Sequence, residues 1–301
     1  MFGILKMKID FVIPVRDKEI GRIKKCIKSI KSEYTGDIYL VDYGSIKPIK
    51  IKDKQVTVIR YDGNKYFNKS HALNLGIKQC KNQYIATIDC DIILSDGFIE
   101  KAYQYLIDNV LIISRNIRRV DMEYTNNNFD IMWKYGRGWT KDGKWATHAV
   151  GGIQMFSKKW IHKIHGYNEN LVLMGGMDSR VFDQAIMDFI PVIDINFPII
   201  HQEHRNIKNR QFNNISDTFK LDILFKKAAY LNMLKKTYCI NNKGKWGEAI
   251  PNQYMFLNTK KNKEDKKLIL VKKKYNNAFI DAVKSGKKYF MFDNKKIEVF
   301  K

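Results

Sequence analysis

YIATIDCDIILSDGF spans Tyr84 to Phe98, an apolar run that breaks at Asp89-Cys90-Asp91 and turns apolar again before Ser95-Asp96-Gly97. In an extended chain the side chains at i and i+2 point to one face, so Asp89 and Asp91 are expected together at a strand end. Two carboxylates held that close repel unless a cation lies beside or between them. The reading of this stretch therefore turns on which cation that is and what it holds.

The flanking sequence supplies the frame. Ile9–Val15 (IDFVIPV) reads as a buried strand, followed by a helix with Ile20, Ile23, Ile27 and Ile30 at helical spacing. Further strands are expected at Asp37–Asp42, Val56–Tyr61, Tyr84–Asp89 and Val110–Ser114, with helices at Ser70–Cys80 and Asp96–Asn109. Strands alternating with helices predict an open, mostly parallel α/β sheet, whose ligands bind outside the carboxyl ends of the strands. Pro14-Val15-Arg16, Asp42 and Asp89-Cys90-Asp91 all fall at such ends. No G-x-G-x-x-G follows the first strand and no P-loop pattern occurs, which disfavours dinucleotide dehydrogenases and P-loop NTPases. An acidic pair instead suits a hard divalent cation, Mg²⁺ or Mn²⁺, bridging carboxylate and diphosphate.

Composition bounds the alternatives. The 301 residues are 45% hydrophobic and 13% aromatic, enough for a full core. No apolar run approaches a membrane span, and no signal peptide is legible at the N-terminus. Cys26, Cys80, Cys90 and Cys239 are scattered, as expected of reduced thiols in a cytoplasmic protein. Net charge is +23 and uneven: residues 1–204 carry 30 basic and 23 acidic groups, residues 205–301 carry 24 and 8. The basic C-terminal third invites an anionic membrane surface, such as an inner membrane face, a polyanionic glycan or nucleic acid. A surface that lysines merely solvate is the alternative.

Four ordered blocks resemble the GT-A nucleotide-sugar glycosyltransferases of the family 2 kind. The nearer likeness is to the β-1,4-galactosyltransferases and chondroitin-type polymerases. IPVRDK (Ile13–Lys18) resembles the family's nucleotide loop, and FNKSHALNLGI (Phe67–Ile77) its Phe-Asn-Arg/Lys segment. IDCD (Ile88–Asp91) stands at its D-x-D, and Val150–Val181 resembles its acceptor-side block. The resemblance implies a GT-A fold over residues 1–205, with a nucleotide-sugar half to about 115 and an acceptor half from about 116. It also implies a metal-dependent, inverting transferase that moves a sugar from a UDP-sugar to a glycan or glycoconjugate hydroxyl. Residues 206–301, outside the resemblance, are expected to form a Lys-rich mixed α/β extension, with a helix at Asp217–Lys236 and a strand pair near Tyr289–Phe292 and Lys296–Phe300. The rival reading is a non-catalytic polyanion-binding protein on a transferase-like scaffold.

Roles follow residue by residue. Asp91 is expected to ligate the metal, with Asp89 helping through the ribose or the metal's waters. Pro14, Val15, Arg16 and Asp42 are expected to frame base and ribose, and Lys69 or Arg16 to neutralise phosphate. In the family a histidine beyond the acceptor block completes the metal shell. His201 and His204 in FPIIHQEHRN are the candidates, with His201 preferred because it ends an apolar strand. Imidazole favours Mn²⁺ over Mg²⁺. Asp178 stands where the family has the Asp of Gly-Gly-Glu-Asp, as the general base; an N-terminal helix cap is its alternative role. Met174 and Met177 replace the family's tryptophan and glutamate beside Gly175 and Gly176, which leaves the acceptor open. Trp139, in the tryptophan-rich stretch Trp133–Trp145, is a candidate acceptor platform, with Gly136 and Gly138 as hinges.

Overall fold

The computed structural model describes residues 7–62, 67–121, 128–138, 150–169, 177–203, 242 and 246–248, and the backbone of 289–292 and 295–298. The chain divides into two compact units, Met1–Met255 and Phe256–Lys301. The expected boundary at 205/206, the expected helix at 217–236 and most of the lysines of the C-terminal third lie outside the described residues.

The first unit opens with β1 (Ile9–Val15), every residue of which is buried. Helix α1 (Ile20–Ser29) follows, then β2 (Thr35–Asp42), β3 (Val56–Arg60), α2 (Lys69–Gln79) and β4 (Tyr84–Ile88). Next come β5 (Ile92–Leu94), α3 (Phe98–Tyr103), β6 (Leu111–Ile113), β7 (Ile117–Val120), α4 (Phe129–Tyr135) and β8 (Arg137–Gly138). The described body ends with β9 (Ile153–Ser157), α5 (Lys158–Lys163), α6 (Met177–Met187), β10 (Val192–Asp194) and β11 (Ile199–Gln202). In the second unit β12 (Tyr289–Phe292) and β13 (Lys295–Glu298) pair antiparallel; the first strand has the expected bounds, and the second starts one residue earlier and ends two residues earlier than expected.

Seven strands form one sheet in the order β10-β6-β9-β4-β1-β2-β3. It is parallel except at β9, which runs antiparallel to both β4 and β6. This is the mostly parallel α/β sheet expected of a GT-A fold, and it sets the carboxyl ends of β1, β2 and β4 along one edge. The reversed β9 begins at that same edge, where Ile153 pairs with Ile88. A second sheet, β5-β11-β7-β8, continues beyond it. Close packing of α2 onto β1 depends on Gly76, where a Cβ would collide with Val12. Ile23, Ile27 and Ile30 of the α1 pattern are core residues, whereas Ile20 is 43% exposed. The buried stripe runs instead through Arg22, Ile23, Cys26 and Ile27, and Ile20 falls at its margin.

The helix expected over 96–109 is shorter, Phe98–Tyr103. Beyond it the backbone tightens into three-residue turns, Tyr105 N–H to Ala102 O and Leu106 N–H to Tyr103 O, and Asn109 takes φ +58. No described helix is long and apolar enough to cross a membrane. Cys26, Cys80 and Cys90 are buried free thiols.

Asp42, at the end of β2, is fully buried. Its carboxylate accepts from Ser45 N (3.1 Å), Ile49 N (3.0 Å) and Arg60 Nη1 (2.6 Å), which fixes the loop after β2. Burial pushes its pKa up, but the hydrogen bonds from Ser45, Ile49 and Arg60 outweigh it and the net shift is downward. A folded pKa below the unfolded one adds stability that is complete above the unfolded value, about 3.9, and vanishes as pH falls through the folded value. Asp42→Asn is expected to cost about 1–3 kcal/mol at neutral pH and to flatten the acid limb of stability in urea denaturation. Acid limbs of equal steepness in the two proteins would contradict this.

Candidate active site

β4 passes into β5 through Asp89-Cys90-Asp91, so the acidic pair is the hinge between the two sheets. Asp89 N–H donates to Gly152 O just ahead of β9 (3.2 Å), and Gln202 N–H donates to Asp91 O (2.8 Å). The β5–β11 register sets His201 opposite Ile92. Asp91 is consequently only 5% exposed. Its Oδ2 lies 3.1 Å from Lys18 Nζ and its Oδ1 3.7 Å from His201 Nε2. Beneath the hinge the Cys26 thiol donates to Asp89 O (3.5 Å), and burial raises the pKa of both Cys26 and Cys90.

Lys69 is the first residue of α2, after an N-cap in which Asn68 Oδ1 accepts from His71 N. Its Nζ lies 2.6 Å from Asp89 Oδ1 and 3.2 and 3.1 Å from Asp178 Oδ1 and Oδ2. Burial disfavours the ammonium, but the charges of Asp178 and Asp89 prevail and its pKa is raised. For Asp89 burial is the leading influence, opposed by Lys69 and reinforced by the negative charges of Asp178 and Asp91; the net shift is upward, to about 7. Its side chain remains 31% exposed, so one side faces solvent. The cations beside the acidic pair are thus two lysines, one on each carboxylate.

Asp178 lies in the first turn of α6. Gly151 makes room for it: a Cβ there would stand 2.5 Å from Asp178 Oδ2. Gln154 on β9 donates to Asp178 O (2.9 Å), and its Oε1 accepts from Tyr167 Oη (2.6 Å), which also meets Thr87 Oγ1 (2.7 Å). This buried chain holds the start of α6 over the end of β4.

Among the described residues no three His, Cys, Asp or Glu side chains converge as a metal cage. The protein offers Asp91 and His201 as a pair. Their 3.7 Å separation is shorter than the span of about 4.2 Å across a cation with ligands at about 2.1 Å, so both atoms can reach one ion. One carboxylate and one imidazole are a donor set that fits Mn²⁺ better than Mg²⁺.

Asp89, Asp91, Lys69, Asp178 and His201 therefore form one cluster. Pro14 and Val15 are the last residues of β1, paired with Val41 and Asp42, and Tyr43 N–H donates to Val15 O (2.8 Å). Arg16 Nε lies 3.8 Å from Asp17 Oδ2, on the loop beside the cluster. Asp42 is enclosed by its loop, with its carboxylate held by Ser45 N, Ile49 N and Arg60 Nη1. Glu169, in the same sequence block as Asp178, is 5% exposed and accepts from Asn74 Nδ2 (2.8 Å) and Gly247 N (2.7 Å). His204, Trp139, Gly175, Gly176 and Met174 lie outside the described residues.

Three contributors escaped the sequence reading. Lys18 sits in a quoted block without an assigned role. Arg22, 4% exposed, donates through Nη1 to Gln202 O (2.5 Å) and Glu203 O (3.1 Å) and so fixes the end of the strand carrying His201. A charged residue inside the α1 apolar stripe was its signal. Gly151, the first of a glycine pair before a strand, is legible only once Asp178 is placed above it.

Residues 10–165, more than half of the chain, match the family model described as "Glycosyl transferase family 2". Among solved structures, the catalytic domain of Drosophila beta1,4galactosyltransferase 7 in complex with xylobiose is similar over 69% of this chain and 75% of that one. The identity is 14% and the TM-score 0.44. No curated protein matches the chain.

Gly151→Ala is expected to destabilise the protein by about 1–3 kcal/mol through overpacking against Asp178. The cost should shrink when Asp178→Ala is also present, because the colliding carboxylate is then gone. A double-mutant cycle in chemical denaturation reads this directly, and an additive cycle would show that Gly151 does not serve Asp178.

Proposed function

The chain belongs to glycosyl transferase family 2, and from that premise we propose that it transfers a sugar, with inversion, from a UDP-sugar to a hydroxyl of a glycan or glycoconjugate acceptor. The observation that carries this reading is the convergence on Lys69 of Asp89, from the acidic pair, and Asp178, from the acceptor-side helix. Donor-binding and acceptor-activating groups need to lie within one sugar ring of each other, and a shared ammonium supports that placement.

In this reading Asp91 and His201 would hold a divalent cation, preferentially Mn²⁺, which would supply positive charge to the donor diphosphate. Asp89 helps orient the donor from the solvent-facing side of the pair. The β1 and β2 loops, fixed by Asp42, form the wall against the base. Lys69 adds positive charge where the diphosphate lies, and its raised pKa keeps it protonated. Asp178 accepts the proton of the acceptor hydroxyl as that oxygen attacks the anomeric carbon and the bond to UDP breaks. Asn68 and the Gln154–Tyr167–Thr87 chain hold Lys69 and Asp178 in register, which is the positioning that such a displacement requires. A screen that reads UDP release with each UDP-sugar, with and without Mn²⁺, tests the proposal and identifies the donor; release from none would overturn it.

Asp178→Asn is expected to lower kcat by about 10²–10⁴-fold with UDP affinity almost unchanged, since a base acts only in the transition state. Asparagine retains the size and capping capacity of the residue, so near-normal transfer would return Asp178 to a purely structural role at the start of α6.

Asp91→Ala is expected to abolish Mn²⁺-dependent UDP binding, and His201→Ala to weaken it by roughly tenfold or more. Titration of UDP by calorimetry in the presence and absence of Mn²⁺ is the check. Metal-dependent binding that survives Asp91→Ala at full strength would place the cation elsewhere.

A further inference from the structure

We propose that Lys18 is an exchangeable counter-ion of this site: at rest it neutralises Asp91, and when donor and cation bind it yields the carboxylate and pairs with the donor diphosphate. The inference rests on the metal and UDP-sugar reading above. Asp91 is nearly enclosed, and a buried carboxylate without a counter-charge is strongly disfavoured. Its Oδ2 meets Lys18 Nζ at 3.1 Å while Oδ1 faces His201. A divalent cation on Asp91 removes the need for the ammonium and repels it from the same carboxylate.

The geometry lets Lys18 move without its loop. Asp17, just before it, is held at φ +50 by two bonds: its N–H donates to Ser45 Oγ (2.9 Å) and its Oδ1 accepts from Ile46 N (2.7 Å). The backbone is therefore anchored to the β2 loop, and the free part is a four-carbon side chain whose surface is 19% exposed. The neighbouring cations are differently placed. Lys69 is gripped by two carboxylates, and Arg22 is committed to the carbonyls of Gln202 and Glu203. Among the described residues Asp91 is the ion-pair partner that Lys18 has. An ammonium on a flexible stem is a good point-charge ligand for phosphate, so a diphosphate arriving at this edge offers Lys18 a second partner.

The exchange predicts changes of opposite sign in one variant. Lys18→Met should bind Mn²⁺ alone about tenfold more tightly, because a competitor for Asp91 is gone. It should bind UDP in saturating Mn²⁺ about tenfold more weakly, the usual worth of one charge-assisted contact. Lys18→Arg, which keeps the charge, should stay near wild type in both titrations. Mn²⁺ is followed by electron paramagnetic resonance, UDP by calorimetry and folding by thermal denaturation. If Lys18→Met is too unstable to titrate, Lys18→Gln, which still offers Asp91 a donor, is measured in its place and should shift both affinities in the same directions. Weaker or unchanged Mn²⁺ binding overturns the proposal, as does unchanged UDP binding. A wild-type protein that binds neither Mn²⁺ nor UDP overturns the underlying site reading and this proposal with it. A wild type that binds both, with no opposed shift in the variant, overturns the role of Lys18 alone.

Discussion

A single ammonium group, that of Lys69, joins parts of the chain that are 20 and 109 residues away from it, and the site exists because of that junction. Each of its two carboxylate contacts is an attraction of about 5–6 kcal/mol at an effective dielectric constant near 20, before desolvation. Removing an ammonium from water costs several kcal/mol, so one partner would leave the account close to balance. Two partners tip it decisively toward the charged form. The same contact relieves the repulsion between Asp89 and Asp178, which otherwise would drive α6 away from the end of β4.

That junction depends on a strand running against the rest of its sheet. Because β9 is antiparallel, it begins where β4 ends, and Gly151-Gly152 arrives beside Asp89 rather than at the far edge. The absence of a side chain at Gly151 then lets Asp178 descend onto Lys69. On the other flank, the pairing of β5 with β11 delivers His201 to Asp91, with Arg22 tying down the strand's end. The acidic pair thus serves as the seam between two sheets as well as the point on which Lys18, Lys69 and His201 converge.

Much of this frame was legible in the sequence, and the reasons are local. Runs such as IDFVIPV and YIATI announce buried strands because they are mostly apolar, and the residues where polarity returns mark the strand ends at which Asp42, Asp89 and Asp91 sit. Asp178 and His201 could be singled out by their blocks, yet nothing local says that α6 and β11 come to the same point. The direction of β9 was equally hidden, since IQMFS has the same alternation read either way. Lys18 looks like an ordinary solvated cation until the folded chain gives it a buried acceptor, whereas Arg22 differs only in lying among the apolar positions of α1. The shortened α3 reflects tertiary docking of residues whose helical periodicity, taken alone, runs on for another turn and a half.

The reach of the first unit beyond its last sheet strand bears on how the protein is made. Asn242 binds the backbone at His165, Tyr167 and Glu169, Gly247 N–H fills an acceptor site on the enclosed Glu169, and Glu248 O meets His71 Nε2. These groups all belong to the layer behind α2, the helix that presents Lys69. During synthesis the ribosome delivers every strand of the main sheet before it delivers this clasp. A nascent chain can therefore assemble its sheet while the layer behind α2 still has polar groups waiting for partners, and the catalytic body is finished only when residues well beyond the last sheet strand have emerged.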